Sequence, residues 1–294
     1  MPMRWLYHLT TRAPSNDDYA PASLASEGFI HCSYKAAVRE SAGLYFKPDQ
    51  RLFVLCIDPR RLTAEVRIAD TPRGPMPHVH GPIERDAIRE VSTLDELDAR
   101  PDEVRGTRFA FYAFGGMTLL DLVGVYDPIS RLRGMGFDDA CTCTIVCDAE
   151  ADVFRVDGAT LHTSLVRPDL SHYDVLVIPG GQGTRTLEKD IGVIEWLRTF
   201  PNNRLAVSVC TGALLLGAMG RLQGKRATTH ASAIARLPEY GATLAPGRVV
   251  HDGQVITSGG VTAGIDAGLY AVRHLMGDEV MTNIAHQMEH TFRA

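Results

Sequence analysis

No apolar stretch of this sequence runs uninterrupted for the length of a membrane span. The opening residues, Met1-Pro2-Met3-Arg4-Trp5-Leu6-Tyr7-His8, lack the apolar segment of a secretory signal. A cytoplasmic protein is therefore expected, with no membrane partner. Cysteine is scarce: six in 294 residues, too scattered for a disulfide framework, which fits a reducing compartment. Basic charge is not in surplus either. Lys and Arg number 30 against 35 Asp and Glu, a net charge of -5, which excludes the electrostatic footprint of a nucleic-acid binder and a polybasic lipid patch. Phosphate-loop signatures are missing too, because Pro179-Gly180-Gly181-Gln182-Gly183 is not followed by Gly-Lys-Ser/Thr and does not fit a dinucleotide fingerprint. What remains, 45% hydrophobic and 22% charged, is an ordinary globular balance over one large or two ordinary domains. Small neutral or polar molecules are the expected ligands.

The chain's most informative stretch is Ser208-Val209-Cys210-Thr211-Gly212-Ala213-Leu214-Leu215-Leu216-Gly217. An apolar run, Leu205-Ala206-Val207, ends in a cysteine and passes at once into residues that predict a helix. A strand turning sharply into a helix leaves the bend residue above the sheet edge, facing the helix's unpaired N–H groups. Those groups favour a thiolate, so Cys210 is a candidate nucleophile. The alternative, a small apolar core cysteine, fits less well with Thr211-Gly212 at the turn than bulkier residues would.

Residues 1–100 predict a small α+β domain: short strands at 5–8, 28–32 and 52–57, with a helix near 34–44. Their polar signature is His8-Leu9-Thr10, Gly28-Phe29-Ile30-His31-Cys32-Ser33 and Pro77-His78-Val79-His80-Gly81-Pro82-Ile83. Four histidines there could bind an anion or a metal, although no pair stands one helical turn apart, and structural roles are the simpler expectation. Tyr7-His8-Leu9 followed by Glu27-Gly28-Phe29-Ile30-His31-Cys32-Ser33 resembles the DUF952 family, which implies that His8 and His31 stand near a pocket. No activity is implied. A charged stretch around Pro101 predicts a linker over 101–107.

From residue 108 strands and helices alternate as in a parallel sheet with helices on both faces. Strands are expected at 109–114, 140–146, 173–178, 204–209 and 226–229, with a hairpin through 153–160 and two more strands within 242–258. Helices are expected at 119–132, 186–199, 212–219, 263–275 and 278–290. Ligands bind such sheets beyond the strands' carboxyl ends, and the ends after Phe114, Ile178 and Val209 converge on one crevice. There the amides of Gly180 and Gly181 suit a developing anion. Cys141, Cys143 and Cys147 share strand parity, yet lack a fourth ligand at useful spacing, so no metal is expected. His286 and His290 sit on what reads as a solvated terminal helix.

Pro179-Gly180-Gly181, Ser208-Val209-Cys210-Thr211-Gly212, Arg226-Ala227-Thr228-Thr229-His230 and Thr257-Ser258-Gly259-Gly260-Val261-Thr262-Ala263-Gly264-Ile265-Asp266 follow one another as they do in the DJ-1/PfpI superfamily. The resemblance covers residues 108–294 and implies a flavodoxin-like parallel sheet with a cysteine elbow. Within it the likeness is greatest to isonitrile hydratases, which share Cys-Thr-Gly where many members carry histidine after the cysteine. Gly116-Met117-Thr118-Leu119-Leu120-Asp121-Leu122 matches the segment holding their aspartate. The resemblance implies Cys210 as the nucleophile forming a thioimidate and Asp121 as acid and then base. It also implies Thr211, Gly181 and Gly180 beside the developing charge, His230 lining the pocket, no cofactor, and a homodimer. Asp266 reads as a cap or backbone anchor. Other activities of the superfamily (peptidase, glyoxalase or deglycase) and a non-catalytic sensor domain are the alternatives; the sensors of AraC-type regulators share some of these motifs, but no helix-turn-helix is expected after 294.

Overall fold

The computed structural model describes residues 3–97, 102–104, 106–149, 153–156, 159–163 and 165–293. The chain forms two compact units, Pro2–Val104 and Arg105–Ala294. Within the expected linker, Pro101 and Arg105 lie outside the described residues.

The first unit holds two three-stranded antiparallel sheets, β1-β3-β6 and β2-β5-β4. Its elements are β1 (Leu6–Thr10), α1 (Ala22–Glu27), β2 (Ile30–His31), α2 (Lys35–Tyr45), β3 (Phe53–Ile57), β4 (Glu65–Thr71), β5 (Gly74–His80) and β6 (Ile88–Ser92). Side chains alternate across a strand, so β3 feeds two cores. Leu55 and Ile57 pack with Leu6, Ile30 and Val79, while Val54 and Cys56 pack with Tyr7 and Val38.

The second unit runs β7 (Arg108–Ala113), α3 (Leu119–Gly134), β8 (Thr142–Cys147), β9 (Val153–Val156), β10 (Ala159–His162), β11 (Leu165–Val166), β12 (Val175–Ile178), α4 (Thr184–Leu187), α5 (Ile191–Leu197), β13 (Leu205–Val209), α6 (Gly212–Ala218), β14 (Arg226–Ala227), β15 (Thr243–Leu244), β16 (Val249–Asp252), β17 (Val255–Ser258), α7 (Ala263–Met276) and α8 (Asp278–Gln287). Seven strands form one sheet in the order β11-β8-β7-β12-β13-β17-β16. All pair in parallel except β16, which returns antiparallel along β17 at one edge. Every residue of β12 and β13 is buried, the pattern of central strands covered on both faces.

Two details depart from the sequence expectations, and the expected hairpin is present. The helix expected at 186–199 is two short helices, because the Asp190 carboxylate accepts from Val193 N–H and starts α5 afresh. Residues 231–240, for which no element was expected, form a 3-10 helix that ends on left-handed Gly241. The hairpin over 153–160 is β9 paired with β10, its Asp157 and Gly158 lying outside the described residues.

Helix α3 crosses α7 closely because small residues meet at the crossing. A Cβ on Gly268 would come within 2.5 Å of Pro128 Cγ, and one on Gly124 within 3.3 Å of Ile265 N. This contact sets the first turn of α3, and Asp121 with it, beside the end of β13.

Candidate active site

Cys210 follows the last residue of β13 with φ at 57°, a left-handed conformation that costs a non-glycine residue about 1–3 kcal/mol. The surroundings hold it there. Its N–H donates to the carbonyls of Ser258 at 3.1 Å and Gly259 at 2.9 Å, and its own carbonyl accepts from the Thr229 hydroxyl at 2.7 Å. The bend leaves the side chain 6% exposed at the carboxyl ends of the central strands.

Asp121 lies in the first turn of α3, fully buried. Gly180 N–H donates to Asp121 Oδ2 at 2.9 Å, and Thr118 N–H donates back to the Gly180 carbonyl at 2.9 Å. Asp121 Oδ1 is buried with no hydrogen-bond partner among the described residues, and the Cys210 thiol lies beside the carboxyl. Gly180 must lack a side chain: a Cβ would stand 2.5 Å from Thr211 N, 2.7 Å from Cys210 Cβ and 2.8 Å from Asp121 Oδ2.

The two acids shift in the same direction. Burial pushes the Asp121 carboxyl above the usual range, against the opposing pull of the Gly180 N–H, the thiol and the His230 ring. Burial and then the Asp121 charge push the Cys210 thiol up, while N–H groups of Thr211 and Val261 at the sulfur pull it down. A buried pair that resists a second negative charge holds one proton between its members over a wide range of pH.

The loop glycines are engaged differently from the sequence expectation. Gly181 N–H, expected beside the developing charge, donates to Thr211 Oγ1 at 2.9 Å. That hydroxyl is also 3.0 Å from Thr184 Oγ1. Gly180 N–H serves Asp121. The N–H donors at sulfur come from Thr211 and Val261. Val261 sits in a quoted motif, but nothing in its residue type signals a role, since its N–H is placed by a backbone φ of 24°.

His230 is half-buried, and its Nδ1 caps the 3-10 helix by accepting from Ser232 N–H at 3.2 Å. It packs against Gly260, where a Cβ would lie 2.9 Å from His230 Cδ2. Asp266 neither caps nor joins the pair. Fully buried in α7, it binds Arg248, His290 Nε2 at 2.8 Å and Arg293 N–H at 3.0 Å. Burial alone would push its carboxyl above the usual range, yet these partners hold it below that range. His290 is therefore an anchor of the C-terminal segment and not the solvated residue expected. Cys141 and Cys147 are buried, and no group of three or more potential ligands among the described residues could hold a metal. In the first unit His8 is buried, and its Nδ1–H donates to the His31 carbonyl at 2.7 Å.

Comparison with known proteins gives a family for each unit. Residues 107–274 match the model of the DJ-1/PfpI family, and residues 8–91 match a protein family of unknown function, DUF952. An isonitrile hydratase from Pseudomonas putida is 35% identical over 184 residues, covering 62% of this chain and 78% of that protein. A solved THiJ/PfpI family protein from Pseudomonas syringae superposes with a TM-score of 0.56 at 30% identity, over 65% of this chain and 81% of that one. The oxidized DJ-1 of Toxoplasma gondii shares the fold, with a TM-score of 0.55 at 19% identity over 63% of this chain and all of its own, 100%.

Proposed function

The chain belongs to the DJ-1/PfpI family, and from that footing we propose that its cysteine site adds water to an isonitrile, releasing an N-substituted formamide. One observation carries the reading: a buried carboxyl with an unpartnered oxygen, Asp121 Oδ1, stands beside the buried Cys210 thiol, both groups pushed up by burial. Isonitrile hydration needs a soft nucleophile for the terminal carbon and a group that delivers one proton to that carbon.

In the first step the sulfur bonds to the isonitrile carbon while the carboxyl proton of Asp121 goes to the same carbon. The product is a thioimidate, R–N=CH–S–Cys210, beside an ionised Asp121. The carboxylate then takes a proton from an incoming water whose oxygen bonds to the carbon, and that proton passes to nitrogen. Finally the new hydroxyl proton returns through Asp121 to sulfur, the C–S bond breaks, and R–NH–CHO leaves. One water is consumed, and the pair ends as it began, with a single proton shared between the sulfur and the Asp121 carboxylate. The N–H groups of Thr211 and Val261 stabilise the sulfur whenever it carries charge. The hydroxyls of Thr184 and Thr211 hold the elbow against the 179–181 loop, so the donors are placed before substrate arrives.

Intact-mass measurement after brief exposure to cyclohexyl isocyanide, quenched in acid, is the test. An adduct of one isonitrile mass on the peptide holding Cys210, with cyclohexylformamide accumulating in the supernatant, is expected. Formamide production undiminished in Cys210→Ser would overturn the mechanism.

A further inference from the structure

The first unit carries a cavity of its own, about 670 Å³, within the range of small-ligand pockets. It opens between β1, β2, α2 and the β4–β5 hairpin, and every lining residue belongs to Pro2–Val104. On one wall stands Arg73, whose guanidinium donates to Ser41 Oγ at 3.0 Å and Tyr45 Oη at 3.1 Å. Both partners are neutral, and among the described residues no carboxylate pairs with Arg73. The only carboxylate in the lining, Glu27, is bonded to His31 Nε2 at 2.8 Å. A guanidinium without a counter-charge, braced in place by two hydroxyls, is prepared for a planar anion.

The rest of the lining restricts what that anion is attached to. Met76 is buried, and Leu9 and Phe46 are partly buried. Tyr45 stands 68% exposed at the mouth, its ring already lying under Arg73. Flat apolar matter fits between such groups. Elsewhere in the wall are the rings of His31, whose Nε2 is taken by Glu27, and His78, 5.2 Å apart. Burial moves the His78 ring toward its neutral form, which both donates and accepts. The wall's one permanent cation balances one negative charge, and Glu27 disfavours a second. A carboxylate satisfies that balance better than a dianionic phosphate.

We propose that this cavity is a second small-molecule site, which binds an aromatic carboxylate bearing a hydrogen-bonding substituent. The carboxylate lies on Arg73 and the ring against Tyr45, Phe46 and Met76. The substituent reaches His31 and His78.

Calorimetric titration of the full chain with 4-hydroxybenzoate, indole-3-carboxylate, 4-hydroxybenzamide, phenyl phosphate and inorganic phosphate tests it. Both carboxylates should bind, and the amide should bind at least about tenfold more weakly, the scale of one charge-assisted hydrogen bond. Arg73→Gln should cost the carboxylates about tenfold or more, Arg73→Lys less, and Cys210→Ser nothing. Should Arg73→Gln fail to fold, Tyr45→Ala removes an exposed ring and one of the two hydroxyls bracing Arg73, and should still weaken indole-3-carboxylate. The proposal is overturned if neither carboxylate binds at millimolar concentration, or if the phosphates bind in their place. Affinity unchanged by both Arg73→Gln and Tyr45→Ala, or lost in Cys210→Ser, overturns it equally.

Discussion

At the scale of single residues, the Asp121–Cys210 pair makes the sharpest predictions. Asp121→Asn keeps a hydrogen-bond donor for the sulfur but can neither deliver nor take a proton. Alkylation of Cys210 should therefore persist while isonitrile turnover falls by ~10²–10⁴-fold, the usual contribution of acid–base catalysis. Turnover at the parental rate would remove Asp121 from the mechanism. The same substitution has a stability signature. A carboxyl whose folded value is raised gives its full stabilisation below its unfolded value and loses it as pH rises through the folded one. Asp121→Asn removes that loss, so its melting temperature should exceed the parent's at pH 8 and converge with it toward pH 4. Thiol selectivity needs a control, because Cys143 is more exposed than Cys210. In a Cys143→Ser background, limiting iodoacetamide should label Cys210 ahead of Cys32, whose thiol burial pushes up to about 12. Peptide mapping reads the order. Cys32 reacting first would contradict the placement of Cys210 at an accessible strand end.

At the scale of elements, the site depends on how closely α3 approaches α7. Gly268→Val would drive side-chain atoms into Pro128 and the Val125 backbone, displacing the first turn of α3 and with it Asp121. We expect kcat to fall more than KM rises, since the thiol stays in place while its proton partner moves. Circular dichroism should show the fold retained, and an unchanged kcat would mean that α3 relaxes without moving Asp121. Asp266 acts between elements too, tying α7 to Arg248 and to the C-terminal segment. Asp266→Ala leaves Arg248 without its carboxylate. Because Arg248 is itself about one-third exposed, the cost should lie near the lower end of the ~3–5 kcal/mol typical of a broken buried pair. The parent's advantage should be full above the unfolded aspartate value and vanish as pH falls through the lowered folded one, which denaturant titrations at pH 7 and pH 3 would show.

At the scale of the whole molecule, each unit has its own sheets, core and cavity or site. Residues 105–294 alone are therefore expected to stay soluble and to keep isonitrile turnover within about twofold of the full chain, the outcome for independently folding domains. A folded but inactive fragment would show that residues before 105 contribute to catalysis.

The sequence by itself determined the architecture and the position of the cysteine bend. Buried parallel strands must be continuously apolar, a strand-to-helix bend must carry a small turn, and both patterns are local, so β12, β13 and Cys210 were legible without coordinates. Asp121 was legible by resemblance, its motif running into the first turn of α3. Only the tertiary structure decided where protons and N–H groups go. The Thr211 hydroxyl takes the Gly181 N–H, the Val261 N–H acts on the sulfur, and Asp266 of α7 meets His290 beyond the end of α8. Such pairings join residues dozens of positions apart through backbone geometry. No spacing in the chain encodes them, because an N–H is the same in every residue but proline and its direction is set by the packing around it.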